Sequence, residues 1–124
     1  PPPIKAVPLG MTSMDGFIHR MAVDKVFDVI LETLSGSGNM TSQHTLTEDE
    51  ALLAGQRWVG ENPQEMGQPG SGVFRSTDGG GIVRQWRIDE GSLIGHRPGE
   101  PSHVHLEIIG PDGRATTNNH ILLR

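Results

Sequence analysis

Apolar and polar residues follow a helical pattern in the first half of the chain and a strand pattern in the second half. Over residues 16–35, apolar side chains recur three or four positions apart with charged side chains between them, which is typical of an amphipathic helix. Thr47 and Glu50 have the spacing of a capping box, and Gly60 follows the apolar positions after them. The pattern therefore predicts helices at about 16–35 and 47–60.

After Gly60 the apolar positions alternate with polar ones, as expected of strands. Clusters of glycine and proline separate four short segments, and one of these clusters, Pro111–Gly113, predicts a hairpin turn. The four segments are Val73–Thr77, Ile82–Ile88, His103–Ile109 and Ala115–Leu123. Two helices followed by four strands predict an α+β fold, in which the helices cover one face of a four-stranded antiparallel sheet at about 72–124 and the other face is open.

The length of the chain, 124 residues, suits one compact domain. We place this domain at 15–124 and interpret the proline-rich residues 1–14 as a linker or lead-in segment. No apolar run is long enough for a membrane span, and the N-terminal residues lack the pattern of a signal peptide. The absence of cysteine excludes disulfides and thiol catalysis, so a metal site would have to use histidines and carboxylates.

The formal net charge of −5 is unevenly distributed along the chain. Residues 1–71 hold four basic and nine acidic side chains, whereas residues 72–124 hold six of each. The six basic residues of the second part are all arginines, which suit bidentate contacts with phosphate, but its carboxylates balance them. Electrostatic attraction of a nucleic acid would therefore be local and modest.

Strand periodicity places three candidate functional side chains together. In the segment His103–Ile109, successive residues alternate between the two faces of the sheet, so His103, His105 and Glu107 share one face. The aliphatic residues between them share the other face and are expected to pack in the core. We therefore expect the three polar side chains to face solvent or a cleft.

Other polar strand residues are candidates to flank these three. On the preceding strand, Gln85 and Arg87 stand at positions whose side chains are expected to point away from the core. The inward set of that strand is Ile82, Trp86 and Ile88, with Arg84 as its one polar member. On the last strand His120 and Leu122 alternate with Ile121 and Leu123, so both faces carry apolar residues and periodicity does not decide which way His120 points.

Two histidines beside a glutamate offer general acid–base chemistry near neutral pH. Cleavage of RNA without metal needs a base for the 2′-OH proton, an acid for the 5′-oxygen, and a cation for the negative charge that develops around phosphorus. Glu107 or one histidine would be the base, and the other histidine would be the acid. Arg87 or Arg75 would be the cation. This chemistry needs neither a nucleophilic serine or cysteine nor a metal or organic cofactor.

Two alternatives remain open on the same residues. His103 and His105, with His120 or Glu107 as a third ligand, have the ligand types of a zinc site in a metal-dependent hydrolase. In a non-catalytic binding module, the histidine face would only contact a partner. Loss of RNA cleavage in EDTA would favour the first alternative, and lack of toxicity on expression in bacteria would favour the second.

Four stretches together resemble the C-terminal toxin domains of bacterial polymorphic toxins, the variable tips of Rhs-type, filamentous-haemagglutinin-type and contact-dependent inhibition proteins. They are Gly70–Gly79, Arg84–Arg87, His103–Glu107 and Asn119–Ile121. The resemblance implies a barnase/EndoU/colicin-type fold and a ribonuclease that acts on tRNA or other RNA. It also implies a secreted or cell-surface-delivered effector domain that acts in the cytoplasm of a competing bacterium.

The resemblance also implies a site and a partner. Carried over position by position, the implied site consists of Arg75, Arg87, His103, His105, Glu107 and His120. We expect Arg87, Glu107 and the three histidines to act in catalysis. We expect Arg75, Gln85 and Arg84 to bind the substrate. The implied partner is a cognate immunity protein, which is expected to present carboxylates to the arginines and to cover the histidine face.

Overall fold

The computed structural model describes residues 14–89 and 99–124 and has an α+β fold, as predicted. Its helices are α1 (Met14–Ser35) and α2 (Glu48–Val59), and its strands are β1 (Gly38–Thr41), β2 (Gln64–Glu65), β3 (Val73–Thr77), β4 (Val83–Arg87), β5 (His103–Ile109) and β6 (Ala115–Leu122). Within these residues, neither helix combines the length and the apolar character needed to cross a bilayer. The predicted linker lies outside the described residues apart from Met14, and so does most of the predicted loop at 89–102.

The six strands form one sheet in the order β1-β6-β5-β4-β3-β2. The four predicted strands, β3 to β6, are antiparallel neighbours in chain order, which confirms this part of the prediction. The predicted number of strands is wrong, because β1 pairs parallel with β6 and β2 pairs antiparallel with β3, so the sheet is mixed. Neither added strand shows apolar alternation: β1 is Gly-Asn-Met-Thr, and β2 has two residues.

Turn residues set the register of the central hairpins. Between β3 and β4, Asp78 Oδ1 accepts hydrogen bonds from two backbone N–H groups of the turn, at 2.9 and 3.0 Å. The predicted turn between β5 and β6 is present: the N–H of Gly110 donates to the carbonyl of Arg114 over 2.8 Å, and Gly113 has a φ of 83°, which favours glycine. Ile82, predicted to face inward, is exposed because β4 begins only at the next residue.

Helix α1 packs on α2 and β6 with only part of its apolar surface. Val26, Val29 and Thr33 are buried, whereas Phe27 and Leu31 are exposed, although Val26, Phe27 and Leu31 all belong to the predicted apolar pattern. Both sets of residues have helical spacing and form two neighbouring stripes. The contacts with α2 and β6 therefore decide which stripe is covered.

Helix α2 begins with the predicted capping box. The N–H of Glu50 donates to Oγ1 of Thr47 over 3.2 Å, and the N–H of Thr47 donates to Oε1 of Glu50 over 2.8 Å. The helix ends at Val59, directly before Gly60, as the pattern predicts. Its buried residues are Ala51, Ala54, Gly55, Trp58 and Val59.

Trp58 joins α2 to the centre of the sheet. Its side chain is buried, and its Nε1 donates to the carbonyl oxygens of Gln85 on β4 (3.1 Å) and Glu107 on β5 (3.2 Å). Trp86, predicted to face inward, is buried in the same core. The helix is therefore tied to the backbone of the two strands whose polar side chains lie on the opposite face of the sheet.

Gly55 is a point of close approach between α2 and the sheet. A Cβ atom at this position would overlap the indole ring of Trp86, far inside van der Waals contact. We expect Gly55→Ala to lower the free energy of unfolding by about 2 kcal/mol, because overpacking against this ring exceeds the gain in helix propensity. Urea denaturation measures the change, and Gln56→Ala, on the exposed side of the same helix, is the control. A Gly55→Ala chain as stable as the wild type would contradict the close packing.

Candidate functional site

The strand register brings polar side chains together on the sheet face opposite the helices. They form two adjacent rows, one of Arg75, Gln85, Glu107 and Asn118 and one of Arg87, His105 and His120, with His103 beside the second row. Directly paired residues on neighbouring strands lie on the same face. The prediction that His103, His105 and Glu107 share a face with Gln85 and Arg87 is therefore confirmed.

The centre of this polar face is buried. His105 is 1% exposed, His103 is 2% exposed and Glu107 is 4% exposed. The expectation that these side chains face solvent or a cleft is therefore confirmed for His103, which borders a cleft, and wrong for His105 and Glu107. Side-chain length contributes to this burial, because Gln85 and Arg87 reach across to the neighbouring strand and donate hydrogen bonds to the carboxylate of Glu107.

Glu107 is the centre of a charge-assisted hydrogen-bond network. Its Oε1 accepts from Nε of Arg87 (2.9 Å) and from Nε2 of Gln85 (2.8 Å), and its Oε2 accepts from Nη2 of Arg87 (3.2 Å). Nη1 of Arg87 lies 3.5 Å from a carboxylate oxygen of Asp89. Oε1 of Gln85 accepts from Nε of Arg75 over 2.9 Å, which extends the network to β3. Glu107 therefore anchors the polar face.

Three histidines lie side by side on β5 and β6. The ring centroids of His105 and His120 are 4.4 Å apart, those of His103 and His105 are 4.7 Å apart, and those of His103 and His120 are 5.5 Å apart. One ring nitrogen from each histidine lies within 4.8 Å of those from the other two. Because His120 pairs directly with His105, its side chain lies on the same face of the sheet, a point that periodicity left undecided.

Backbone carbonyls orient the rings of His103 and His120. Nδ1 of His103 lies 3.0 Å from the carbonyl oxygen of Pro101, and Nδ1 of His120 lies 3.0 Å from that of Met40 on β1. A carbonyl oxygen only accepts hydrogen bonds, so these contacts assign the proton of each neutral ring to Nδ1. Nε2 is then the nitrogen that carries the lone pair.

His105 lies between an amide oxygen and a guanidinium. Its Nδ1 is 2.9 Å from Oδ1 of Asn118 and 3.2 Å from Nη2 of Arg87. Burial lowers the pKa of His105 to about 3; the hydrogen bond with Asn118 opposes this shift, and the positive charge of Arg87 adds to it. His105 is therefore uncharged at neutral pH.

A cleft of about 320 Å³ opens beside two of the three histidines. His103 and His120 border it together with Met40 and Glu100, whereas His105 does not. The cleft is therefore a place where a phosphate group or an ion can approach the histidine face.

Arg84 does not join the histidine face. Its guanidinium lies over the ring of Trp58, 4.6 Å from the centroid, and its Nε donates to Oδ2 of Asp78 over 3.0 Å. It borders a second cleft, of about 560 Å³, together with Arg57 and Arg75. Of the arginines expected to bind substrate, Arg75 reaches both this cleft and the polar network, whereas Arg84 belongs to the helix side alone.

Two groups that form hydrogen bonds with the histidine rings were not predicted from the sequence. Asn118 lies two residues before His120 on β6, so both side chains are on the same face of the sheet. Asn118 would have been a candidate if the face on which His120 lies had been known. The carbonyl of Met40 belongs to β1, which has no apolar alternation, and no side-chain pattern reveals the role of a backbone oxygen.

No protein-family model, no curated protein and no solved structure matches this chain. The resemblance of the four stretches to polymorphic-toxin domains therefore stays an expectation. The geometry of the polar face is the main evidence for function.

Proposed function

We propose that the chain is a metal-independent endoribonuclease toxin domain of the barnase/EndoU/colicin type, which cleaves RNA in a target bacterial cell. The observation that carries the proposal is the pair of histidines at the cleft. His103 and His120 lie on adjacent strands, border the same cleft, and have ring centroids 5.5 Å apart. Two imidazoles at one cleft match the two proton transfers that RNA cleavage needs.

In this reaction the ribose 2′-OH attacks phosphorus as one imidazole removes its proton. The bond between phosphorus and the 5′-oxygen breaks as the other histidine, which enters the step as the imidazolium with a second proton on Nε2, gives that proton to the leaving oxygen. The products are a 2′,3′-cyclic phosphate and a 5′-OH. We assign the two proton transfers to His103 and His120, because His105 is not on the wall of the cleft. His120 is the more exposed of the two and would meet the substrate first.

The neighbouring side chains have supporting roles in this proposal. Arg87 supplies positive charge next to the histidines, since its Nη2 lies 3.2 Å from Nδ1 of His105. Glu107 already accepts three hydrogen bonds, so it positions Arg87 and does not transfer the proton. Gln85 and Arg75 extend the network toward the second cleft and are suited to binding a neighbouring part of the RNA.

The target and the partner in this proposal follow from the resemblance to polymorphic toxins. The substrate is RNA, with tRNA among the candidate targets, and the domain is delivered from the surface of one bacterium into the cytoplasm of another. A cognate immunity protein with an acidic contact surface covers the histidine face. Between residues 72 and 124 the six arginines are balanced by six carboxylates, so contacts within the clefts would contribute more than the overall charge.

Expression of the wild-type chain in a bacterium should arrest growth, and co-expression of the immunity protein should restore it. Purified chain incubated with total RNA in EDTA should give discrete fragments, because no step uses a metal. His44→Ala is the matched control and should behave as the wild type, since His44 lies outside the three-histidine group.

The outcomes separate the open alternatives. Normal growth together with intact RNA would contradict an enzyme and would favour a binding module. Cleavage that is lost in EDTA and restored by zinc would contradict the metal-independent mechanism.

A further inference from the structure

We infer that His103, His105 and His120 form a binding site for a divalent transition-metal ion of the zinc type. One ring nitrogen from each lies within 4.8 Å of the other two, and pairing of β5 with β6 places all three on one face. Such a site goes beyond the proposed ribonuclease, because metal binding does not depend on RNA cleavage.

The hydrogen bonds of the three rings support this site. Histidines that bind a metal usually donate the other ring N–H to an oxygen, which fixes both the tautomer and the orientation of the ring. Nδ1 of His103 and Nδ1 of His120 each lie 3.0 Å from a backbone carbonyl oxygen, and Nδ1 of His105 lies 2.9 Å from the amide oxygen of Asn118. In the rings of His103 and His120 the lone pair is thereby assigned to Nε2, the nitrogen that would bind the metal, and the contact with Asn118 orients the ring of His105.

The residue types favour zinc and related ions. Neutral imidazoles suit Zn²⁺ and Co²⁺, whereas Mg²⁺ and Ca²⁺ need mainly oxygen ligands. The carboxylate of Glu107 is bound by Arg87 and Gln85 and is not a member of the ligand group. Three nitrogens leave a fourth position for water or for another ligand.

The fold holds these ligands in place before a metal binds. His105 and His120 are directly paired across two strands, and His103 lies two residues from His105 on the same strand. The carbonyl of Met40, on the parallel strand β1, fixes the ring of His120. A site held in this way loses little conformational entropy on binding. The cleft beside His103 and His120 gives an ion access to the group.

A bound ion would occupy the two histidines that the proposed ribonuclease uses. Zn²⁺ is therefore expected to inhibit RNA cleavage at the concentrations that fill the site, and EDTA should reverse the inhibition.

Equilibrium dialysis of the full chain against Zn²⁺ tests the site directly and should give one bound ion per chain. Co²⁺ serves as a second probe, since four-coordinate binding shifts and strengthens its visible absorption bands. Asn118→Ala should weaken Zn²⁺ binding by about 10-fold, because it removes only an orienting oxygen, and His120→Ala should weaken it by more than about 100-fold. His44→Ala should bind as the wild type does.

A folded wild-type chain that binds neither ion stoichiometrically would overturn the site, and so would wild-type affinity in His120→Ala. If His120→Ala does not fold, the Asn118→Ala chain decides, and an affinity equal to that of the wild type would overturn the site. RNA cleavage distinguishes this inference from the proposed function. Cleavage in EDTA that Zn²⁺ inhibits supports both, whereas cleavage that requires Zn²⁺ supports the site and overturns the metal-independent mechanism.

Discussion

Replacing His120 by alanine should slow RNA cleavage by about 10²–10⁴-fold, the usual effect of removing a general acid or base. His120 borders the cleft and is only partly buried, so the variant should keep its fold. Its contact with the carbonyl of Met40 is a single hydrogen bond, whose loss costs about 1 kcal/mol of stability. Cleavage rates on a defined oligoribonucleotide measure the effect.

Two further variants separate a chemical role of His120 from a structural one. His44→Ala also removes a partly buried imidazole, but outside the site, and should cleave at the wild-type rate. Added imidazole should partly restore cleavage by His120→Gly, because the small molecule can take the place of the missing ring. Undiminished cleavage by His120→Ala would contradict the proposed proton transfer. A slow variant that imidazole does not rescue, with a lowered melting temperature, would indicate a structural role.

Replacing Glu107 by alanine should lower the free energy of unfolding by about 3 kcal/mol, the lower end of the range for breaking a buried ion pair. Glu107 is 4% exposed and accepts three hydrogen bonds from Arg87 and Gln85. The variant leaves the guanidinium of Arg87 without this carboxylate. The lower end of the range applies because the side chain of Arg87 is 24% exposed and also lies near Asp89. Urea denaturation monitored by tryptophan fluorescence measures the change.

The control for Glu107→Ala is Glu61→Ala, which removes an exposed carboxylate and should change stability by less than about 0.5 kcal/mol. A second comparison tests whether the cost comes from the unpaired charge. The double variant with Glu107→Leu and Arg87→Met removes both charges and should recover most of the lost stability. If Glu107→Ala were as stable as the wild type, the network would not anchor the polar face.

The candidate site was predictable where it depends on strand parity. The alternation along β5 placed His103, His105 and Glu107 on one face, and the structure confirms this arrangement. The alternation along β4 did the same for Gln85 and Arg87. Parity follows from backbone geometry and needs no knowledge of distant residues. Parity does not show how far a side chain is shielded from solvent, and for this reason the burial of the polar face was not predicted.

The remaining parts of the site depend on contacts between distant positions. The direction of His120 follows from its pairing with His105, and its ring is held by the carbonyl of Met40, 80 residues earlier in the chain. Arg84 and Arg87 lie close together in the chain but belong to different faces. Arg84 packs on Trp58, and Arg87 pairs with Glu107. The sequence therefore named the candidate residues without showing which of them contact one another.

By itself, the sequence determined the local elements of this protein. These are the capping box of α2, the two helices, the four antiparallel strands β3 to β6 and the turn at Gly113. Each depends on hydrogen bonds and side-chain periods within a few residues. Tertiary structure alone decided the parallel pairing of β1, the covered stripe of α1 and the convergence of three histidines. The physical reason is that these features are selected by packing and hydrogen bonding between segments far apart in the chain, for which a single sequence carries no local signal.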